Sequence, residues 1–277
     1  TIVDLSRINS ISRYDRETGT VRIQPGVTFS QLADFLKSHG DQWQVCVTGG
    51  PAQGSVLGNA LEKGDGIGVY GDRAQSISDL QVVLGTGKVI NLGHGAFGFP
   101  GVNWHQQACG PDLSKLFIQS NFGVVCAATI MLQVKNNCCI HASFHFEQDE
   151  DWHALLTVTK RLLDEQIIHP RTISMWNQAK LLARETQKIH CRKAVLHPHL
   201  LKKWHANFYI PNGDADIASH KLQLLKHVLG KLNSKFTLNI LSNLHDGQPS
   251  NANIRSLYWE RKHKVTSPFN PDEDNCG

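Results

Sequence analysis

No stretch of this chain approaches the roughly 18 consecutive apolar residues that a membrane-spanning helix requires, and the mean hydropathy is −0.28. A soluble chain without membrane partners is therefore expected. Charge of either sign is sparse, with 28 Lys and Arg against 24 Asp and Glu. No block of Lys and Arg is interleaved with aromatics and no nucleic-acid motif is present, so nucleic acid is not expected as a partner. The small excess is uneven: residues 1–140 are neutral, whereas 141–277 carry the +4 and 12 of the 15 histidines. A solvated basic face accounts for it. The seven cysteines (Cys46, Cys109, Cys126, Cys138, Cys139, Cys191 and Cys276) form no CxxC and no ladder of spacings. Their odd number argues against a disulfide framework and for reduced thiols. A GxSxG elbow is also missing, which leaves hydrolase chemistry without support. What is present is an ordinary globular composition, 40% hydrophobic over 277 residues, enough for about two domains.

Periodicity and turn chemistry divide the chain near Lys135–Asn137. Before it, Thr1–Leu5 reads as a strand, and Ser10–Tyr14 with Val21–Ile23 as a hairpin around Glu17–Thr20. Thr28 or Ser30 caps a helix over Gln31–Ser38 that presents Leu32, Phe35 and Leu36 on one face. Val45–Thr48 is expected as a buried strand and Leu57–Lys63 as a short helix. A second hairpin joins Leu80–Leu84 to Val89–Leu92, Leu113–Gln119 suits a helix, and Gly123–Val134 suits a strand buried on both faces. After the boundary the order is strand (Ile140–Phe146), helix (Asp151–Gln166), strand (Thr172–Trp176), then helical segments to about Trp204. Strand (Asn207–Ile210), helix (Ile217–Leu232) and strand (Lys235–Leu241) follow. That order predicts an antiparallel sheet with helices on one face. The tail reads as helix over Asn251–Lys262 and coil over Ser267–Gly277.

Several signals do not survive inspection. Gly66–Gly71 matches GxGxxG by letter, but a dinucleotide fingerprint must follow a strand and open a helix; this one follows a helical segment and leads into Asp72-Arg73. Gly85–Lys88 lacks the upstream glycine and the hydroxyl residue of a phosphate loop, so a hairpin turn is expected. His141 and His145 share a strand face, and His190, Cys191, His197 and His199 lie close in sequence, but neither group has zinc spacing. No metal is expected.

The informative region is Gly49–Gly71, which holds eight glycines. Glycine lets main-chain N–H groups approach a flat or anionic ligand with no Cβ in the way, and Ser55 and Asn59 can add side-chain hydrogen bonds. A nucleotide-type ligand is one reading of this density. Asp65, Asp72 and Arg73 form either a charge pair at a pocket edge or a surface pair.

The ordered series around this region carries a resemblance. Ile2–Ser6 (IVDLS), Gln24–Thr28 (QPGVT), Gly54–Asn59 (GSVLGN), Tyr70–Asp72 (YGD), Leu80–Leu84 (LQVVL), Gly110–Asp112 (GPD) and Gln119–Val125 (QSNFGVV) run in family order across nearly all of residues 1–134. Leu257–Trp259 and Asp274–Gly277 match the end of the substrate-covering domain. In these residues the chain resembles the FAD-linked oxidoreductases of the vanillyl-alcohol oxidase and p-cresol methylhydroxylase type.

The resemblance implies an α+β fold: a two-subdomain FAD-binding fold of the PCMH type, incomplete here, over 1–136, then an antiparallel-sheet cap or substrate domain over 137–277. It implies FAD as cofactor, with Gly49 and Gly50 near the ring. Gly54, Ser55, Gly58 and Asn59 would line the pyrophosphate and ribityl side, and the backbone of Gly123, Val124 and Val125 would lie against the cofactor. The implied chemistry is hydride transfer from an alcohol or alkyl-aryl small-molecule substrate to the flavin, with oxygen or a redox protein as electron acceptor; a homo-oligomer is left open. The alternative is a non-catalytic flavin- or nucleotide-binding module, a decayed paralogue. The family's pyrophosphate loop would precede Thr1 and its catalytic C-terminal stretch would follow Gly277, so the chain is expected to be a fragment that binds FAD weakly by itself. No catalytic residue is assigned. Gly50 stands where some aryl-alcohol members carry an acidic residue, and Ile67 where they carry a phenol-binding tyrosine, which places a phenol substrate in doubt.

Overall fold

The structure is a computed structural model; it describes residues 2–40, 42–48, 50–66, 70–97, 105, 110–135, 138–146, 148, 151–180, 204–212, 214–229 and 236–242. The chain divides into two compact units, Thr1–Lys135 and Asn136–Gly277.

The first unit is built on a five-stranded antiparallel sheet in the order β1-β2-β6-β4-β5. Strands β1 (Ile11–Asp15) and β2 (Thr20–Ile23) form the first expected hairpin, and β4 (Ile77–Leu84) with β5 (Val89–Asn91) the second. In the second turn the Leu84 N–H donates to the Lys88 carbonyl at 2.9 Å and Gly87 takes φ +82°, so Gly85–Lys88 is a hairpin loop. Strand β6 (Gly123–Met131) returns from far along the sequence to pair with both hairpins. A small ladder joins β3 (Trp43–Gln44) to β7 (Gln133–Val134).

Helix α1 (Phe29–Ser38) starts at a capping box: the Gln31 N–H donates to Thr28 Oγ1 at 3.1 Å and the Thr28 N–H to Gln31 Oε1 at 3.0 Å. Its buried face is Phe29, Leu32 and Leu36, while Phe35 packs edge-on to Tyr14 and stacks on His39. These side chains join Val21, Ile23, Leu57, Leu80 and Ile130 among the buried apolar residues of the unit.

Three local expectations need correction. Ile2–Leu5 forms no strand; Ile2 is 97% exposed, and a strand exists only where a neighbour takes its backbone groups. Val45 and Cys46 are buried as expected, but the segment is irregular, paired only at Thr48, which bridges Gly66. Leu113–Phe117 is a 3₁₀ turn rather than an α-helix, fitting a five-residue piece capped by Asp112.

The second unit carries a four-stranded antiparallel sheet, β11-β8-β10-β9, made of β8 (Cys138–Phe146), β9 (Ile173–Asn177), β10 (Trp204–Asn212) and β11 (Phe236–Ser242). Helices α3 (Asp151–Asp164) and α4 (Ala215–Leu229) share one core with this sheet. Strand alternation puts Ala206, Phe208 and Ile210 into that core, against Leu155 and Leu162 of α3 and Leu225 of α4. Trp152 and Trp204 stack at its margin, with ring centroids 4.3 Å apart. The α+β class, with an antiparallel sheet and helices on one of its faces, is as expected. The second histidine group (190–199) and the tail lie outside the described residues.

Candidate functional site

The glycine segment is an irregular excursion held at fixed points. Its first half is tied to the start of α1: the Phe29 N–H donates to the Gly54 carbonyl at 3.1 Å, the Ser30 N–H to Ala52 at 2.9 Å, and the Val56 N–H to Val27 at 3.0 Å. Ser55 then opens helix α2 (Val56–Leu61) as its N-cap. Its hydroxyl accepts from the Gly58 N–H at 2.8 Å and donates to the Pro25 carbonyl at 2.5 Å. Beyond α2, Thr48 bridges Gly66, Asp65 bridges Asp72, and the Gly66 N–H donates to the Gly71 carbonyl at 2.9 Å. GxGxxG here is thus a loop closing on itself and feeding a 3₁₀ turn at Arg73–Ser76, not a nucleotide turn before a helix.

This geometry revises why the glycines are there. A Cβ on Gly66 would lie 2.3 Å from the Val47 carbonyl oxygen, and one on Gly64 would lie 2.3 Å from Asn59 Oδ1. At Gly58 it would meet Ser55 Oγ at 3.1 Å, and at Gly54 the Pro51 carbonyl oxygen at 3.1 Å. Much of the glycine density therefore serves close approach of the chain to itself. Gly50 differs: its Cβ would find only Thr48 Oγ1, at an ordinary 3.5 Å. Gly49 and Ile67 lie outside the described residues.

Two features leave hydrogen-bonding capacity unused. Asn59, on α2, has a buried Oδ1 without a hydrogen-bond partner. The second is the backbone of β6. Strand β4 pairs with it from Gly123 to Ile130, but β2 pairs only from Ala128 to Met131 because the chain leaves the sheet at Pro25. Among the described residues no strand takes the other edge of β6 from Gly123 to Ala127, and α2 packs against this strand. The structure thus brings Asn59 and α2 to β6, the strand that carries Gly123, Val124 and Val125. A Cβ on Gly123 would strike Val82 and the Val83 carbonyl, so that glycine serves strand packing.

Sequence reasoning missed Arg73 and Asp79. Arg73 has no exposed surface and pairs with neither Asp65 nor Asp72, contrary to both readings of that trio. The Asp72 carboxylate instead caps the 3₁₀ turn through the Ala74 N–H. Burial lowers the pKa of Arg73, with the neighbouring Cys46 opposing the shift, and burial raises that of Tyr70. Asp79 is buried in β4 at φ +49°, where the register with β6 slips. Its Oδ1 accepts from the Gly95 N–H at 3.0 Å, and its carbonyl from Arg22 Nη1 at 3.0 Å. Burial pushes its carboxyl pKa up, against the lowering effects of Gly95, Arg22 and His94. Neither residue has a sequence signature, since Asp and Arg are exposed by default.

Comparison with known proteins bears on this geometry. A family model described as an FAD binding domain matches residues 1–93. The 1'-carboxy-chondrochloren decarboxylase of Chondromyces crocatus is 29% identical over 100% of this chain and 59% of its own length. The flavoprotein subunit of 4-cresol dehydrogenase [hydroxylating] from Pseudomonas putida is 32% identical over 44% of this chain and 24% of its own length. The solved structure of p-cresol methylhydroxylase with substrate bound superposes with a TM-score of 0.72 at 20% identity, over 90% of this chain and 50% of that one. The chain thus spans little more than half the length of these proteins. Together the matches support the flavoprotein type to which the motifs pointed, the PCMH-type fold, and FAD as the cofactor. The open β6 edge, the unmatched Asn59 Oδ1 and the bare approach at Gly50 are compatible with such a group. Ser55 is largely committed to its capping role.

Proposed function

We propose that this chain belongs to an FAD-dependent oxidoreductase that oxidises an alcohol or alkyl-aryl substrate, with residues 1–136 holding FAD and 137–277 forming the substrate domain. Bound FAD supplies the acceptor for hydride leaving a substrate carbon. The protein's part is binding and orientation. The free edge of β6 at Val124 and Val125 offers backbone donors and acceptors, Asn59 offers its side-chain amide, and Gly50 allows close approach. The Gly54–Ser55 turn keeps its shape because the start of α1 and the Pro25 carbonyl hold it. The observation that carries this reading is the unused backbone edge of β6 with α2 packed against the same strand. Gly50 brings no carboxylate and Ile67 no hydroxyl, so a buried phenolate would lack those two partners.

A second reading, decarboxylation of a carboxylic-acid substrate, is favoured by the decarboxylase from Chondromyces crocatus, which aligns with this chain from end to end. Anaerobic titration of the full-length, FAD-loaded protein separates the two. Bleaching of the flavin band by an alcohol or alkyl-aryl compound, without release of carbon dioxide, supports oxidation. Carbon dioxide evolved from a carboxylated compound supports the second reading. Stoichiometric flavin that no substrate of either class bleaches or consumes would leave only a binding module.

A further inference from the structure

The buried guanidinium of Arg73 poses a charge problem that the flavin reading does not address. Its Nη1 donates to the Tyr70 carbonyl at 3.3 Å, and its Cζ lies 5.8 Å from the centroid of the Phe29 ring. Nε and Nη2 are buried and meet no hydrogen-bond acceptor of good geometry. No carboxylate among the described residues pairs with it. Arginine does not shed its proton in proteins, so the charge stays and must be met. An aromatic face and one carbonyl are a weak answer for an ion taken out of water.

The group that interacts with this cation and can itself become an anion is Cys46. Its side chain is 1% exposed, and its thiol donates to Gln133 Oε1 at 2.9 Å, which leaves the sulfur lone pairs for Arg73. The other titratable group that interacts with the sulfur is Tyr70, whose burial keeps its phenol neutral. Gln133 suits either state of the sulfur. Turned about its terminal bond, the amide presents Nε2 as a donor in place of Oε1.

We infer that Cys46 is a thiolate and the counter-ion of Arg73, and hence that it is a site for small, soft, thiol-directed electrophiles. An adjacent cation brings a thiol from about 8.5 into roughly the 3.5–7.5 range. Here the cation has no other anion to satisfy it. Alkylation would remove the charge: the sulfur bonds to carbon, the leaving group departs with its electron pair, and Arg73 is left unbalanced. Cys46 lies two residues before Thr48, which pins the glycine segment through Gly66. Modification is therefore felt in that segment. The inference stands apart from the flavin reading and does not depend on it.

The test uses the full-length protein and its Cys46→Ser variant at matched flavin content. Their difference in the far-ultraviolet thiolate band isolates one sulfur. The expected result is at least half of one thiolate's amplitude at about pH 7, where an ordinary thiol would contribute about one part in thirty. Pulses of iodoacetamide, read by mass spectrometry on the Cys46 peptide, should follow the same titration. In an Arg73→Met background the band should appear only above about pH 8.5. Amplitude at Cys46 that arises only above that pH in the unaltered protein overturns the inference. The comparison with Cys46→Ser decides this alone, even if Arg73→Met fails to fold.

Discussion

Replacing Gly66 by alanine separates glycines that let the chain approach itself from any that face a ligand. The new methyl would sit 2.3 Å from the Val47 carbonyl oxygen, 3.1 Å from its carbon and 3.4 Å from Thr48 Cα. All three are backbone atoms, so no side chain can swing aside. Relief requires the Val47–Thr48 segment to retreat by most of an ångström, which breaks the Thr48–Gly66 bridge. Overpacking of this kind costs about 1–3 kcal/mol. The lower freedom of alanine in the unfolded chain returns about 0.4–1 kcal/mol. The net loss is about 1–2 kcal/mol, a fall of roughly 3–8 °C in the melting of the first unit. Gly50→Ala is the matched control, because its methyl meets only Thr48 Oγ1 at 3.5 Å. It should melt like the unaltered protein or up to a few degrees higher. Differential scanning fluorimetry on the full-length protein reads stability, and flavin retained through gel filtration reads binding. Gly66→Ala should lose both together, whereas Gly50→Ala should lose only flavin. A Gly66→Ala protein that melts within a degree of the unaltered one, or a Gly50→Ala protein equally destabilised, would refute the reasoning.

Asp79 gives a pH prediction. Its carboxyl pKa is raised above 3.8 in the folded state, chiefly by burial. The native protein therefore holds that proton more tightly than the unfolded chain, and stability from this group falls as pH rises from 3.8 through the native value. Asp79→Asn keeps an acceptor for the Gly95 N–H and tolerates φ +49°. Its melting temperature relative to the unaltered protein should climb across that window, and a gap that narrows with rising pH would reverse the sign. Thr28→Ala removes the cap of α1 and should cost about 0.5–2 kcal/mol in urea unfolding, while Thr28→Ser should recover most of it. In the second unit, Phe208→Ala empties a fully buried site and should cost about 3–5 kcal/mol. Lys160→Ala, at an exposed pair with Asp164, should stay within about 0.5 kcal/mol by the same measurement.

Much of the architecture could be read residue by residue. The Glu17–Thr20 and Gly85–Lys88 turns marked both hairpins, the Thr28 and Gln31 spacing marked the start of α1, and apolar spacing marked α4 with Leu225, Val228 and Leu229 inward. These features depend on neighbours within a few positions, which is the range over which propensity, capping and amphipathic period act. The FAD-linked type was legible because its motifs recur in fixed order. Other features were decided only when distant segments met. Strand β6 enters the sheet between β2 and β4, and it is the early exit of β2 at Pro25 that leaves its edge open. The glycines look alike as letters, yet Gly66 is closed by Val47 and Gly50 is not. Arg73 reads as a surface charge until packing seals it beside Cys46, 27 positions earlier in the chain. Burial, pairing partners and counter-charges are properties of three-dimensional neighbours, and no local pattern of residues specifies which distant segment will supply them.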